Sequence, residues 1–513
     1  MITVRRRGIA VITGVVLTIL VFEARAFADS DPNAIPWPQV GQIAQDFVDR
    51  ETPSSAWPFS TRESSNSTRK VFIHYFTPMQ LTPDNKPAVV DYWNTQALLR
   101  SGIGGKYAAA GGYVRERPLP VGPWPEPYWR EINAAIDVLR AQRIGADGFI
   151  VGLFQLPSGQ YWVAARRLCA AAAAVAPGFA IIFQLDADAL NGASPEAMAS
   201  AVVALAQCNA AYRTDDERLM ITAFNPARMG RAFWQQFLAR TADRGVPVAF
   251  VPILLNPLRS VSEFAGFSYA VSSWGPADPA GVDGKGTGVA ALRKMLIQLR
   301  AKWMAPVRPQ DFRPKSGTMF EAANTATFRR LWMQAIQWQA PYVHVITWND
   351  YTEATEIEPS SRTQFLYYDL SAFFINWYKT GRQPAVQRDA IYYSHRGQIF
   401  EPLKPPQPGD YPLRLLGLTP IQNRVEMLTM LTAPATITIE IGGQQCSQNA
   451  PAGLAILECP ASPGRPLFRI TRGPSIVAEL RSDWEISTHP ERADPLYFGG
   501  SSTRSHAEVP PPR

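Results

Sequence analysis

Asp350, Glu353, Glu356 and Glu358 place four carboxylates within nine residues, in the string Trp348-Asn349-Asp350-Tyr351-Thr352-Glu353-Ala354-Thr355-Glu356-Ile357-Glu358-Pro359. Cleaving a glycosidic bond takes two carboxyls in unlike surroundings: one protonated to assist the leaving oxygen, one ionised to activate water or attack. Asp350 and Glu353 are three apart, so a tight turn or nascent helix would face both to one side. Trp348 and Tyr351 could supply the apolar wall that raises one pKa above the other. The same run also fits a solvated acidic loop or a helix N-terminus stabilised by negative charge. Its position among the surrounding elements decides between these readings.

The run follows the last of eight short apolar or β-branched segments: 71–76, 147–154, 179–186, 218–224, 248–255, 267–274, 303–307 and 342–348. Most are separated by stretches with apolar residues at three- and four-residue intervals: Glu131–Arg143, Tyr161–Val175, Pro195–Ala210, Arg231–Arg244, Val289–Lys302 and Thr325–Gln339. A further one, Phe365–Lys379, follows the eighth segment. Near-continuous apolar strands between amphipathic helices imply a parallel sheet buried on both faces. Eight units predict an α/β fold, a closed (β/α)8 barrel over 69–383, with an aromatic-rich insertion at 77–129. An open doubly wound sheet is the alternative, but no Gly-rich phosphate loop follows the first strand. In a barrel the chemistry sits where the strands end, and there the acidic run falls.

Other polar strand ends are His74 and Tyr75 on the first, Asp186 on the third and Trp274 on the sixth. Together with Trp348, Asn349, Tyr351 and Glu356 they are candidate sugar contacts; each could instead be a satisfied core or top-layer residue. Glu358 binds substrate or extends the acidic loop. Asp147, at the start of its strand, reads as structural capping. Glu353 is the preferred general acid and Asp350 the ionised partner, because donors near a strand end favour the charged form.

Arg5, Arg6 and Arg7, the apolar run Ile9–Phe22 and the small-residue pattern through Ala28 predict a signal peptide over 1–28 and a secreted or periplasmic protein. Residues 29–68 read as a linker or surface wrap. After Pro384 the helical period gives way to short β-rich segments, Arg424–Leu431, Thr436–Ile441 and Leu467–Thr471. They predict an antiparallel β-sandwich over 384–498, and 499–513 read as a disordered tail. Of four cysteines, Cys446 and Cys459 are expected to pair, while Cys169 and Cys208 either bridge two helices or remain buried thiols. No Cys/His metal spacing occurs and no cofactor is implied. The net charge is only +7 over 513 residues and the bases are scattered, which argues against a nucleic-acid partner.

The string Ile346-Thr347-Trp348-Asn349-Asp350-Tyr351-Thr352-Glu353 resembles the W-N-D-Y-x-E signature of glycoside hydrolase family 71, the α-1,3-glucanases or mutanases. Supporting pieces are Val71-Phe72-Ile73-His74-Tyr75, Gly145-Ala146-Asp147-Gly148-Phe149, Phe183-Gln184-Leu185-Asp186 and Ile391-Tyr392-Tyr393-Ser394-His395-Arg396. The run is also similar to the W-N-E-W-x-E-G-T-x-I-E-P of family 99 endo-α-mannosidases. The resemblance implies an exported barrel hydrolase acting on α-linked glycan, with Asp350 and Glu353 as the catalytic pair and an inverting outcome. Two places depart from the family pattern: Asn225 stands after the fourth strand for an acidic residue, and Ser273-Trp274-Gly275-Pro276 lacks an aspartate and a second tryptophan. The alternatives are a carbohydrate-binding or surface-assembly protein without turnover, and an endo-α-mannosidase-like hydrolase.

Overall fold

In the computed structural model, eight parallel strands close a barrel: Lys70–Tyr75, Gly148–Leu153, Ala180–Asp186, Leu219–Phe224, Val248–Leu254, Val271–Ser273, Trp303–Val307 and Tyr342–Val345. The structure describes residues 35–53, 55–61, 67–284, 289–400, 413–488 and 493–511, so the expected signal peptide lies outside the described residues. The first strand pairs with both the second and the eighth, Phe72 opposite Gly148 and His344. Gly148 is required by the close approach of the third strand, because a Cβ there would lie 2.0 Å from the carbonyl oxygen of Ala180. Phe72, Ile150, Ile182, Met220, Val251 and Met304 fill the lower barrel as one apolar cluster. Helices cover it: the helix Ala326–Gln337 buries the row Phe328, Leu331, Trp332 and Ala335, whereas α2 (Trp129–Arg143) is buried on all sides from Glu131 to Ala141, with Ile132, Ile136 and Leu139 among its apolar residues.

Three expectations are corrected. Residues 37–51, within the stretch read as a linker or surface wrap, are not a structureless linker but form helix α1 (Trp37–Glu51), which buries Val40, Ala44 and Val48 along one row. The flanking prolines and a row of only three small apolar residues hid its period. The sixth strand was expected from 267 but spans only Val271–Ser273, because a helix, Pro257–Phe264, and a 3-10 turn to Phe267 occupy the preceding chain. The expected tail is ordered as far as residue 511: Tyr497–Ser501 is a strand, and Arg504 is ion-paired at 2.7 Å to the buried Asp369.

Beyond the helix Leu366–Thr380, two four-stranded antiparallel sheets stack as a sandwich. One is ordered Gly453–Pro460, Arg424–Leu431, Ala390–Arg396, Tyr497–Ser501. The other runs Gln444–Ala450, Ala435–Ile441, Leu467–Arg472, Ser475–Arg481. The Cys446–Cys459 disulfide joins strands of the two sheets, and Cys169–Cys208 ties α3 (Gln160–Val175) to the residues after α4 (Pro195–Leu205). Barrel and sandwich belong to one compact unit, Pro36–Arg513.

Candidate active site

The eighth strand ends at Val345, and residues 346–359 fold back over the barrel mouth. The Trp348 amide donates to the His74 carbonyl at 2.6 Å, and the Ile357 and Glu358 amides return to the Trp348 carbonyl at 3.2 and 3.0 Å. Thr347 Oγ1 accepts from the Asp350 amide at 2.8 Å. Asn349 fastens this loop to the one after the first strand: its Oδ1 accepts from the Phe76 amide at 2.8 Å, and its Nδ2 donates to the Met79 carbonyl. The sequence places two acids on the loop; these bonds set the direction in which they face.

Asp350 is buried. Its Oδ1 accepts from both the Thr352 amide, at 3.0 Å, and the Thr352 hydroxyl, at 2.6 Å. Desolvation raises its pKa above the usual aspartate value, offset only in part by the two Thr352 bonds and the charges of Lys315 and Arg313. Glu353 has only a fifth of its side chain exposed; its Oε2 accepts from Trp274 Nε1 at 3.3 Å and from Arg313 Nη2 at 3.1 Å. Burial, then the charges of Asp350 and Asp311, raise it to about 7, against the pull of Arg313 and Arg308. Both carboxyls are raised by burial and each accepts two hydrogen bonds, Asp350 from Thr352 alone and Glu353 from Trp274 and Arg313; an acid held at about 7 beside a second carboxyl suits acid and base work at a glycosidic oxygen.

A model of glycosyl hydrolase family 71 matches residues 126–495, most of the chain. The chain belongs to that family. A mutanase from Penicillium rubens is 26% identical over 346 residues, covering 56% of this chain and 75% of the relative. A family 99 endo-α-mannosidase from Bacteroides thetaiotaomicron aligns over 62% of this chain and 98% of its own, with 13% identity and a TM-score of 0.47. A family 113 β-1,4-mannanase aligns over 49% and 93%, with 10% identity and a TM-score of 0.34.

Within this family 71 barrel the other expected residues divide into two groups. His74 and Trp274 stand with the acids: their rings meet edge to face at 5.2 Å, and His344 approaches them at 5.9 and 5.8 Å. Burial pushes His74 down to about 3, so its imidazole is neutral at physiological pH. Asp186 caps its own strand end, accepting from the Asp188 and Ala189 amides at 3.0 and 2.8 Å. The left-handed Asn225 reaches across to Asp188 at 2.9 Å, so the departure after the fourth strand has a local partner. Asp147 accepts from the Val71 amide at 2.7 Å and pairs with Lys379 at 2.8 Å, as capping requires.

Tyr75, Trp348, Tyr351, Glu356 and Glu358 do not face the acids; they are buried behind them. Tyr75 and Trp348 donate to the two oxygens of Asp137, at 2.9 and 3.1 Å, and Tyr351 donates to Glu358 at 3.1 Å. Glu358 is ion-paired with Arg140 at 3.2 Å, and Arg140 also holds Glu51 of α1 at 2.6 Å. Glu356 faces Glu116 from the insertion; burial and that neighbour keep its carboxyl well above the usual range. Among the described residues no group of three or more His, Cys, Asp or Glu side chains is placed to hold a metal ion.

The sequence reading missed Arg313, Arg308 and Asp311, and also Asp137, Arg140 and Glu116. Asp137 and Arg140 are three apart on α2, a spacing that does not by itself distinguish a solvated pair from a buried one. Arg313 lies in a stretch without a period. Tyr113 belongs to the aromatic-rich insertion, whose composition does not show which ring faces the site. It stacks on Tyr107 at 4.7 Å, carries Lys315 Nζ 5.1 Å from its ring centre, and feels the charge of Asp350.

Proposed function

We propose that this glycoside hydrolase is exported and cleaves α-1,3-glucan, with Glu353 as general acid and Asp350 as the ionised carboxylate that activates water. The observation that supports the assignment is Glu353 held at about 7 beside Asp350, whose carboxyl, though also raised by burial, accepts twice from Thr352 in its ionised form. Glu353 protonates the leaving oxygen as the bond to the anomeric carbon breaks. Water, giving its proton to Asp350, adds from the opposite face and inverts the centre. The family and the Penicillium mutanase support the α-glucan substrate. Two disulfides, and Arg5 to Arg7 ahead of the apolar run Ile9–Phe22, support export.

Incubating the purified chain with α-1,3-glucan, α-1,4-glucan and α-mannan should release new reducing ends from the first alone. NMR of the earliest product should show the β-anomer. Turnover of α-mannan alone would overturn the substrate assignment, and an α-anomer as first product would overturn the inverting one.

A further inference from the structure

The two groups that hold Glu353 Oε2 come from different loops, Trp274 after the sixth strand and Arg313 after the seventh. Neither loop closes on the barrel alone. Both are gripped by one stretch of the C-terminal region. Arg414–Leu416 adds as a parallel strand to the ribbon Phe312–Arg313 and Thr318–Phe320, with Arg414 opposite Thr318 and Leu416 opposite Phe320. That ribbon also bonds the acid's own backbone, the Phe312 amide donating to the Glu353 carbonyl at 2.8 Å.

Just beyond, the buried carboxylate of Asp278, four residues after Trp274, accepts from the Leu418 amide, the Thr419 amide and the Thr419 hydroxyl at 3.1, 2.9 and 2.8 Å. Thr419 Oγ1 in turn accepts from the Ala280 amide at 3.0 Å. The approach is close enough to need Gly417. It has φ +82°, and a Cβ there would lie 2.9 Å from Asp278 Cγ.

On the ribbon side the fully buried Glu321 accepts from the Gln422 amide at 3.1 Å, is ion-paired with Arg396 at 2.9 Å and receives the Tyr497 hydroxyl. Phe312, Met319, Leu496 and Ala354, the residue after Glu353, form one apolar cluster with Leu413 and Ile421. Two buried acids accepting several donors each are more bonding than a passive seam between barrel and sandwich requires.

We propose that residues 414–423 belong to the catalytic apparatus: through Asp278 and Glu321 they fix the loops that present Trp274 and Arg313 to Glu353, making these two acids positioning residues for the proton donor. The proposal rests on the reading of Glu353 as that donor. Glu353 is faced by Asp350 from its own turn, by Asp311, Arg308 and Arg313 from the stretch after the seventh strand, and by the neutral indole of Trp274. Both donors to Oε2 favour the ionised carboxylate, so loosening either raises the pKa.

The test uses the full chain with Asp278→Asn and with the milder Thr419→Val, which keeps the side-chain volume. Two readouts are taken: kcat/KM against pH on an α-1,3-gluco-oligosaccharide, and carbodiimide labelling of the Glu353 peptide against pH, read by mass spectrometry. In each variant the basic limb and the labelling midpoint should move to higher pH together, by about half a unit or more. A lowered Tm with limb and midpoint both unmoved means an ordinary structural brace and overturns the proposal. So does a moved limb with an unmoved midpoint. A shifted midpoint in Thr419→Val supports the brace by itself, even where Asp278→Asn does not fold. Failure of the underlying reading looks different: Glu353→Gln would then leave the parent's basic limb in place.

Discussion

Arg313 donates from Nη2 to Oε2 of Glu353 across 3.1 Å while its Nε bonds Asp311 Oδ1 at 3.0 Å. One guanidinium thus favours the ionised form of the acid and at the same time neutralises the aspartate that opposes it. Burial and Asp350 raise Glu353, and the cation that opposes them comes from a ribbon 40 residues away in sequence.

Replacing Arg313 by Ala removes the cation and exposes Glu353 to Asp311, and both changes act in the same direction. The pKa of Glu353 should climb above its value of about 7, carrying the basic limb of kcat/KM to higher pH. A pH profile of the variant checks this; a limb moving to lower pH would remove Arg313 from the account.

Glu353→Gln and Asp350→Asn should each cost on the order of 10²–10⁴ in rate, the worth of a positioned proton transfer. Substrates with a good leaving group need little protonation, so Glu353→Gln should lose least on them, whereas Asp350→Asn should lose on all alike. Rates on activated and unactivated α-glucosides distinguish the two variants. The opposite pattern would exchange the roles, and near-parental turnover by both would point to the wrong pair.

Glu116 and Glu356 are buried against each other; Glu116 accepts from Ser360 Oγ at 2.7 Å, and burial raises both carboxyls. A carboxyl whose folded pKa is raised contributes stability that is complete below its unfolded value of about 4.3 and is lost as pH rises through the folded value. Tm should accordingly fall from pH 5.5 to pH 8.5, and Glu356→Gln, neutral at every pH, should flatten that fall. Calorimetry at the two pH values decides; an unchanged slope in the variant would show the pair does not share a proton.

Unreduced mass spectrometry should show two linked peptides, Cys169 with Cys208 and Cys446 with Cys459. The second closes a 13-residue separation between facing sheets, and replacing both of its cysteines by Ser should cost about 3 kcal/mol in urea unfolding. A loss well under 1 kcal/mol would mean that the sandwich core alone holds the sheets together.

The barrel, and the place of the acidic run at the end of its last strand, were legible in the chain itself. Eight apolar runs between helical repeats leave little choice but a parallel sheet closed under helices, and that closure puts Asp350 and Glu353 at the mouth. These signals are local and periodic, so residue order carries them. Sequence could not divide the acidic run between mouth and interior. Trp348, Glu356 and Glu358 share the string with the acids, yet their side chains turn away to Asp137, Glu116 and Arg140, which lie more than 200 residues earlier, and Tyr351 turns with them to Glu358. Nor could it show that α1, the ribbon carrying Arg313 and the last strand all close on the barrel. A buried charge is tolerable only where a partner of opposite sign or a hydrogen-bond donor meets it. In this chain those partners are distant in sequence, so only the folded arrangement decides which acids are kept neutral, which stay ionised and which face the substrate.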